Sequence, residues 1–228
     1  MGYYGSMIFL LPAILLSFYA QMKVSSTYRM YANVRNSSGI TGAQAARMIL
    51  DANGLADIPI QRIGGNLTDH YNPAKRTMSL SDTVYQMPTV ASISIAAHEA
   101  GHAIQHSRSY APLAFRNAIV PVANIGSTIA WPLLFIGLMT GPGLGDVLIN
   151  TGIILFLGVV LFHLVTLPVE LDASRRALLQ LEQLGVVSSQ QEHAGAKKML
   201  SAAAMTYFAA LAMSVANLLR ILAMRRRD

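Results

Sequence analysis

Two histidines and a glutamate stand in the order His98-Glu99-Ala100-Gly101-His102, inside a run of small and apolar residues. On a helix, positions i and i+4 face the same way, about 6 Å apart. Two imidazoles at that spacing can bond one zinc ion at ~2.0–2.1 Å. Glu99 sits one position round from His98, where it can face a water in the open zinc position and take its proton. A hydrolytic site of this type needs a third protein ligand and one open position. The chain has no cysteine, so disulfides are excluded and the ligands must be imidazoles and carboxylates. That donor set suits a catalytic zinc better than a structural one, which usually takes thiolates.

Several residues compete for the third place. His106 lies two turns beyond His98, or ~12 Å of rise, too far to share one ion without breaking the helix. His70 and His193 are isolated, and His163 lies within a long apolar run, where a lone imidazole is more often packed or hydrogen-bonded. Glu170 is the better choice. It follows an apolar run directly, on a second helix, with Asp172, Arg175 and Arg176 close behind. Asp172 could orient a ligand histidine from behind, or simply form a helix-surface ion pair with Arg175 or Arg176. An oxyanion formed during hydrolysis needs a further donor. His70, Tyr71, Tyr110 and Arg175 are the candidates, and the sequence does not choose among them.

Local signals place the elements that must position these groups. Thr41-Gly42-Ala43-Gln44 reads as a capping box opening a helix that Asn53-Gly54 closes. Ile58–Ile63 alternates like a short strand, and Pro59 gives it an edge position. Asn66–Tyr71 and Thr77–Ser81 read as two more strands around the turn Asn72-Pro73-Ala74-Lys75. An edge strand beside a metal can pair with a peptide backbone and hold it extended. Thr89 caps the next helix, from Val90 to about Ser107, with Ile93, Ala97 and Ile104 as its apolar face and both histidines on it.

The surrounding composition is that of a membrane protein. Of 228 residues, 53% are hydrophobic and only 12% charged, against about 25% charged in soluble domains. The first apolar run, about Met7–Tyr19, is extended by Gly2–Ser6 and Ala20–Met22, and Pro12 is expected to kink it. A second run covers about Ala118–Thr140. After the turn at Gly141–Asp146 a third runs from Val147 to Leu167, about the ~20 residues that a span needs. Pro168–Ala177 continues it as a polar helix ending near Gly185. Ser189-Gln190-Gln191-Glu192 is a further capping box before a last run, about Met199–Ala223. The formal net charge of +6 reads as orientation signal and contact with anionic lipid. Nucleic-acid binding is not expected, since no base-stacking aromatic motif accompanies the charge.

Lys23, Arg29 and Arg35 follow the first span, which puts the N-terminus outside and the next segment in the cytosol. Two spans separate His102 from Glu170, so the ligands share a side in either orientation. Four spans would leave Arg225–Arg227 outside, against the positive-inside rule, so the last run is either not a full span or has a tolerated basic tail.

The fragments His98-Glu99-Ala100-Gly101-His102 and Leu167-Pro168-Val169-Glu170-Leu171-Asp172-Ala173-Ser174 resemble the YugP-type neutral zinc metallopeptidases of bacterial membranes. Thr41–Gly54 and Leu67-Thr68-Asp69-His70-Tyr71-Asn72-Pro73 share the resemblance, which covers most of the chain. More distantly the chain is similar to heat-shock membrane zinc proteases and CAAX-prenyl endopeptidases, in the gluzincin group. The resemblance implies Glu170 as third ligand. Ser174 stands where those relatives have Asp, and Asp172 is the residue available for that role.

The expected protein is mainly α and integral to the bacterial plasma membrane. It has three to four transmembrane helices and a small α+β zincin-like catalytic domain. Its expected segments are 1–23 (first span), 24–117 (catalytic segment), 118–167 (transmembrane hairpin), 168–198 (third-ligand helix and its successor) and 199–228 (last apolar helix and basic tail). The expected function is zinc-dependent endopeptidase action on membrane or juxtamembrane proteins. It would use one Zn2+ per chain held by His98, His102 and Glu170, Glu99 as general base, and a cytoplasmic site. The competing class is a non-catalytic membrane adaptor or chaperone-like scaffold with a vestigial or structural metal site. A transporter is disfavoured by the scarcity of charges in the spans and the lack of a repeat.

Overall fold

A computed structural model describes residues 7–225. Gly2–Ser6 and Arg226–Arg227, which belong to the expected first run and basic tail, lie outside the described residues. The chain is mostly helical. A 3-10 turn at Met7–Phe9 precedes α1 (Leu11–Tyr31), followed by α2 (Gly42–Ala52), β1 (Ile60–Ile63), β2 (His70–Asn72) and β3 (Thr77–Ser81). Then come α3 (Asp82–Gln86), α4 (Val90–Ser107), α5 (Ala111–Thr140), α6 (Leu144–Gln183) and α7 (Gln190–Arg225). Among the described residues, four helices are long and apolar enough to cross a membrane: Met7–Tyr31 with its leading turn, α5, α6 and most of α7.

Two compact units emerge. One gathers residues 1–19, 111–168 and 206–228. Its interior joins Ala130 and Leu134 of α5, Ile149, Ile153 and Phe156 of α6, and Ile221 of α7. A Cβ on Gly126 would stand 2.5 Å from the Leu155 carbonyl, and one on Gly145 would stand 2.5 Å from the Gly137 carbonyl. Small residues are what let apolar helices approach this closely without a hydrophobic driving force. Large apolar side chains such as Ile154 and Phe135 point outward, as a lipid-facing surface requires.

The other unit comprises residues 20–110 and 169–205. Its core joins Ala45, Ala46, Ile49 and Leu50 of α2 to Ile93, Ala97, Ala100 and Ile104 of α4, closed by Ala177 and Leu181 of α6. The three strands run in the order β1-β3-β2. β1 is parallel to β3, with Ile60 opposite Met78. β2 is antiparallel to β3, with Tyr71 opposite Met78. Both β1 and β2 are therefore edges, in line with the position expected from Pro59.

Both ends of the Thr41 capping box are formed, and so is the reciprocal pair of Ser189 and Glu192. Several boundaries differ from expectation. Pro12 does not kink its helix: α1 begins at Leu11, so Pro12 lies in the first turn, whose N–H groups lack helical partners anyway. Asn66–Asp69 is not strand, because Gly65 and Leu67 adopt left-handed backbone (φ +104° and +54°), which no pleated strand accommodates. Ile58 and Pro59 precede β1, and α3 is a short helix with no sequence signal. Helices α5 and α7 begin ahead of the apolar runs that mark them, at Ala111 and Gln190.

Candidate metal centre

Thr89 opens α4, its hydroxyl accepting the Ser92 N–H at 3.2 Å. Ala96, Ala97, Ala100 and Ala103 bury one side of the helix. Gly101 decides what can lie against it. A Cβ there would stand 2.5 Å from the Ala173 carbonyl, so α6 crosses at a distance only glycine permits. One turn before that crossing, α6 presents Glu170, which is 3% exposed.

His98 Nε2 lies 3.2 Å and His102 Nε2 3.5 Å from the same Glu170 oxygen, Oε2. The two imidazole rings are 4.8 Å apart and nearly perpendicular. The three donor atoms lie within 4.8 Å of one another. Bonds of ~2.0–2.1 Å at tetrahedral angles set ligand atoms about 3.3 Å apart, so the two distances to Glu170 match edges of such a tetrahedron. The nitrogen–oxygen donor set fits zinc as well. Without a metal the same contacts are hydrogen bonds to the carboxylate. Burial alone would lower the His102 pKa, but the hydrogen bond and charge of Glu170 outweigh it, and His102 holds its proton more tightly than usual.

Each imidazole is also held from behind. His98 Nδ1 lies 3.2 Å from Ser174 Oγ. His102 Nδ1 lies 3.0 Å from Gln105 Oε1. Gln105 Nε2 donates in turn to the Val169 carbonyl at 2.8 Å and to Asp172 at 2.9 Å. Asp172 also accepts from Arg175 at 2.6 Å and from Arg176 at 2.5 Å. Asp172 thus does form the ion pairs foreseen for it, and it reaches His102 through Gln105.

Glu99 is buried, and its Oε2 accepts the backbone N–H of Tyr71 at 2.9 Å. Edge strand β2 is therefore tied to the acid–base candidate. The Tyr71 hydroxyl bonds His106 Nδ1 at 2.9 Å, so His106 braces β2 against α4. Asp69 binds the Ser81 N–H at 2.7 Å and its hydroxyl at 3.0 Å. Burial raises the Asp69 pKa above its ordinary value despite those bonds, and the nearby charge of Glu99 adds to the rise.

The other oxyanion candidates lie differently. His70 is exposed on β2, with Nδ1 on the Thr68 carbonyl. Arg175 is exposed and committed to Asp172. Tyr110 lies under the Arg176 guanidinium, 5.6 Å from its ring centroid. The structure brings Tyr71 alone of the four into a bond with Glu99. Sequence reasoning missed Gln105 and the bond from Ser174 to His98. The available signals were a lone amide in the apolar stretch Ala103-Ile104-Gln105, three residues after His102, and a hydroxyl four residues after Glu170.

Residues 6–226 match the family described as "Putative neutral zinc metallopeptidase". The chain is 50% identical over 215 residues to the "Putative membrane protease YugP" of Bacillus subtilis (strain 168), covering 93% of each chain. No solved structure matches. A family match over nearly the whole chain, with four helices apolar enough to cross a bilayer, makes this a membrane protein that belongs to the neutral zinc metallopeptidase family.

Proposed function

We propose that the chain is a zinc-dependent endopeptidase that cuts membrane proteins or their juxtamembrane segments at the cytoplasmic face of the bilayer. The observation that carries this is the union of three metal-type donors with a buried carboxylate tethered to an edge strand. His98, His102 and Glu170 would hold one zinc ion. Zinc bound there supplies Lewis-acid polarisation of a carbonyl and lowers the pKa of a bound water towards ~7. Glu99 accepts the proton released as water attacks the scissile carbonyl, then returns one to the leaving amine. The Tyr71 N–H occupies one Glu99 oxygen and so directs the other toward the reaction. As an edge strand, β2 can guide an extended substrate beside Glu99.

Placement at the bilayer rests on sequence position. Glu170 follows the last residue of the third apolar run, Leu167, by three positions, roughly 5 Å of helical rise. The cytoplasmic side follows from Lys23, Arg29 and Arg35 after the first span.

The decisive experiment is Glu99→Gln in purified protein carrying stoichiometric zinc. Casein cleavage should fall by about 10²–10⁴-fold, the usual contribution of a positioned acid–base group, while zinc stays bound. Undiminished cleavage would remove the protease reading and leave the scaffold alternative.

A further inference from the structure

Gln105 is fully buried, and its amide can sit in only one orientation. Nε2 lies within hydrogen-bond distance of the Val169 carbonyl and of an Asp172 oxygen. Both are acceptors, so the amide oxygen cannot take that place. Arg175 and Arg176 in turn keep Asp172 anchored. Oε1 must therefore face His102 Nδ1 at 3.0 Å. An amide oxygen only accepts, so His102 must carry its hydrogen on Nδ1. In the neutral ring that leaves the Nε2 lone pair free, and Nε2 is the atom that faces Glu170. His98 differs: its Nδ1 partner is the Ser174 hydroxyl, which can donate or accept and so dictates no tautomer.

We propose that Gln105 is the positioning residue of the metal centre: its locked amide makes His102 present Nε2 to the metal, and Asp172 acts on the site only by holding that amide. This rests on the reading of His98, His102 and Glu170 as the zinc ligands.

The test uses the full chain in detergent, with zinc affinity read by chelator competition and the visible spectrum of the cobalt-substituted protein read beside it. Q105M removes the acceptor and should weaken zinc about 10–100-fold, the usual effect of losing such a partner, with an altered cobalt spectrum. D172N keeps an oxygen for the Gln105 amide and should stay within about threefold of the wild type, well short of that loss. S174A should cost less than Q105M. Zinc affinity unchanged in Q105M, or lost equally in D172N, would overturn the proposal. If Q105M does not fold, nitrogen-15 NMR of the zinc-loaded wild type decides: a hydrogen on His102 Nδ1 supports the assignment, and one on Nε2 overturns it. Wild type that binds zinc no better than H102A would instead remove the ligand assignment itself.

Discussion

Asp69 shows how closely charge is packed around Glu99. Its carboxylate is partly buried and held by Ser81, yet its pKa is raised, first by burial and further by Glu99. The folded state therefore binds the Asp69 proton more tightly than the unfolded chain does. Stability from this group falls as pH rises from the ordinary carboxylate value through the raised one, and stays lower at neutral pH. Asp69→Asn keeps an oxygen for the Ser81 N–H and removes the charge. Thermal unfolding should show a higher midpoint than wild type at neutral pH, with the gain vanishing in acid below the ordinary carboxylate value. A midpoint at or below wild type at neutral pH would contradict this account. The Tyr71 side chain could not be assigned a role from sequence, because its hydroxyl partner His106 lies 35 positions away.

At the scale of elements, the site exists because two helices cross at a glycine. The His98–His102 spacing guarantees one face of α4 and nothing more. Glu170 arrives only because Gly101 lets the Ala173 backbone come into contact. Gly101→Ala puts a methyl carbon into that carbonyl, and forcing volume into a packed site costs about 1–3 kcal/mol. Helix propensity returns up to about 1 kcal/mol of this. Overall stability should therefore change little or fall modestly, whereas zinc affinity should drop at least tenfold as Glu170 moves away from the histidines. Chelator competition on the variant reads this directly, and wild-type affinity would mean that the crossing is not what sets the ligand distance. The capping boxes at Thr41 and Ser189 were legible because the two reciprocal bonds of each box join residues three positions apart. The strand expected at Asn66–Asp69 was not, because left-handed turns at Gly65 and Leu67 leave no periodic signal.

For the whole molecule, the proposed placement of Glu170 just past an apolar span makes substrate anchoring decisive. A peptide tethered to a membrane helix should be cleaved at least tenfold more efficiently, by kcat/KM in vesicles, than the same peptide free in solution, since tethering raises its effective concentration. Equal efficiencies would count against a juxtamembrane substrate. If all four candidate spans cross and the N-terminus lies outside, as proposed, the end of α7 lies outside, despite the basic residues there. A C-terminal tag should then be cut by protease added to intact cells, and protection of the tag would mean that α7 does not cross. The even number of candidate spans between His102 and Glu170 is the same in either case.

The sequence by itself determined the chemistry on offer and the elements that carry it. Ligand spacing on α4, the helix caps, strands β1 and β3 and the apolar runs are all periodic or short-range features, each encoded within one element. Glu170 could be selected by elimination and by the parity of the spans. What only the tertiary structure decided was contact. Ser174 lies behind His98 and Gln105 behind His102, Asp172 acts through Gln105, and Tyr71 ties β2 to Glu99. Each of those bonds joins positions far apart in the chain or depends on a rotamer set by a neighbouring helix. No local pattern encodes them, because they follow from how closely α4, α6 and β2 can pack, and at Gly101 that distance is set by the absence of a single methyl group.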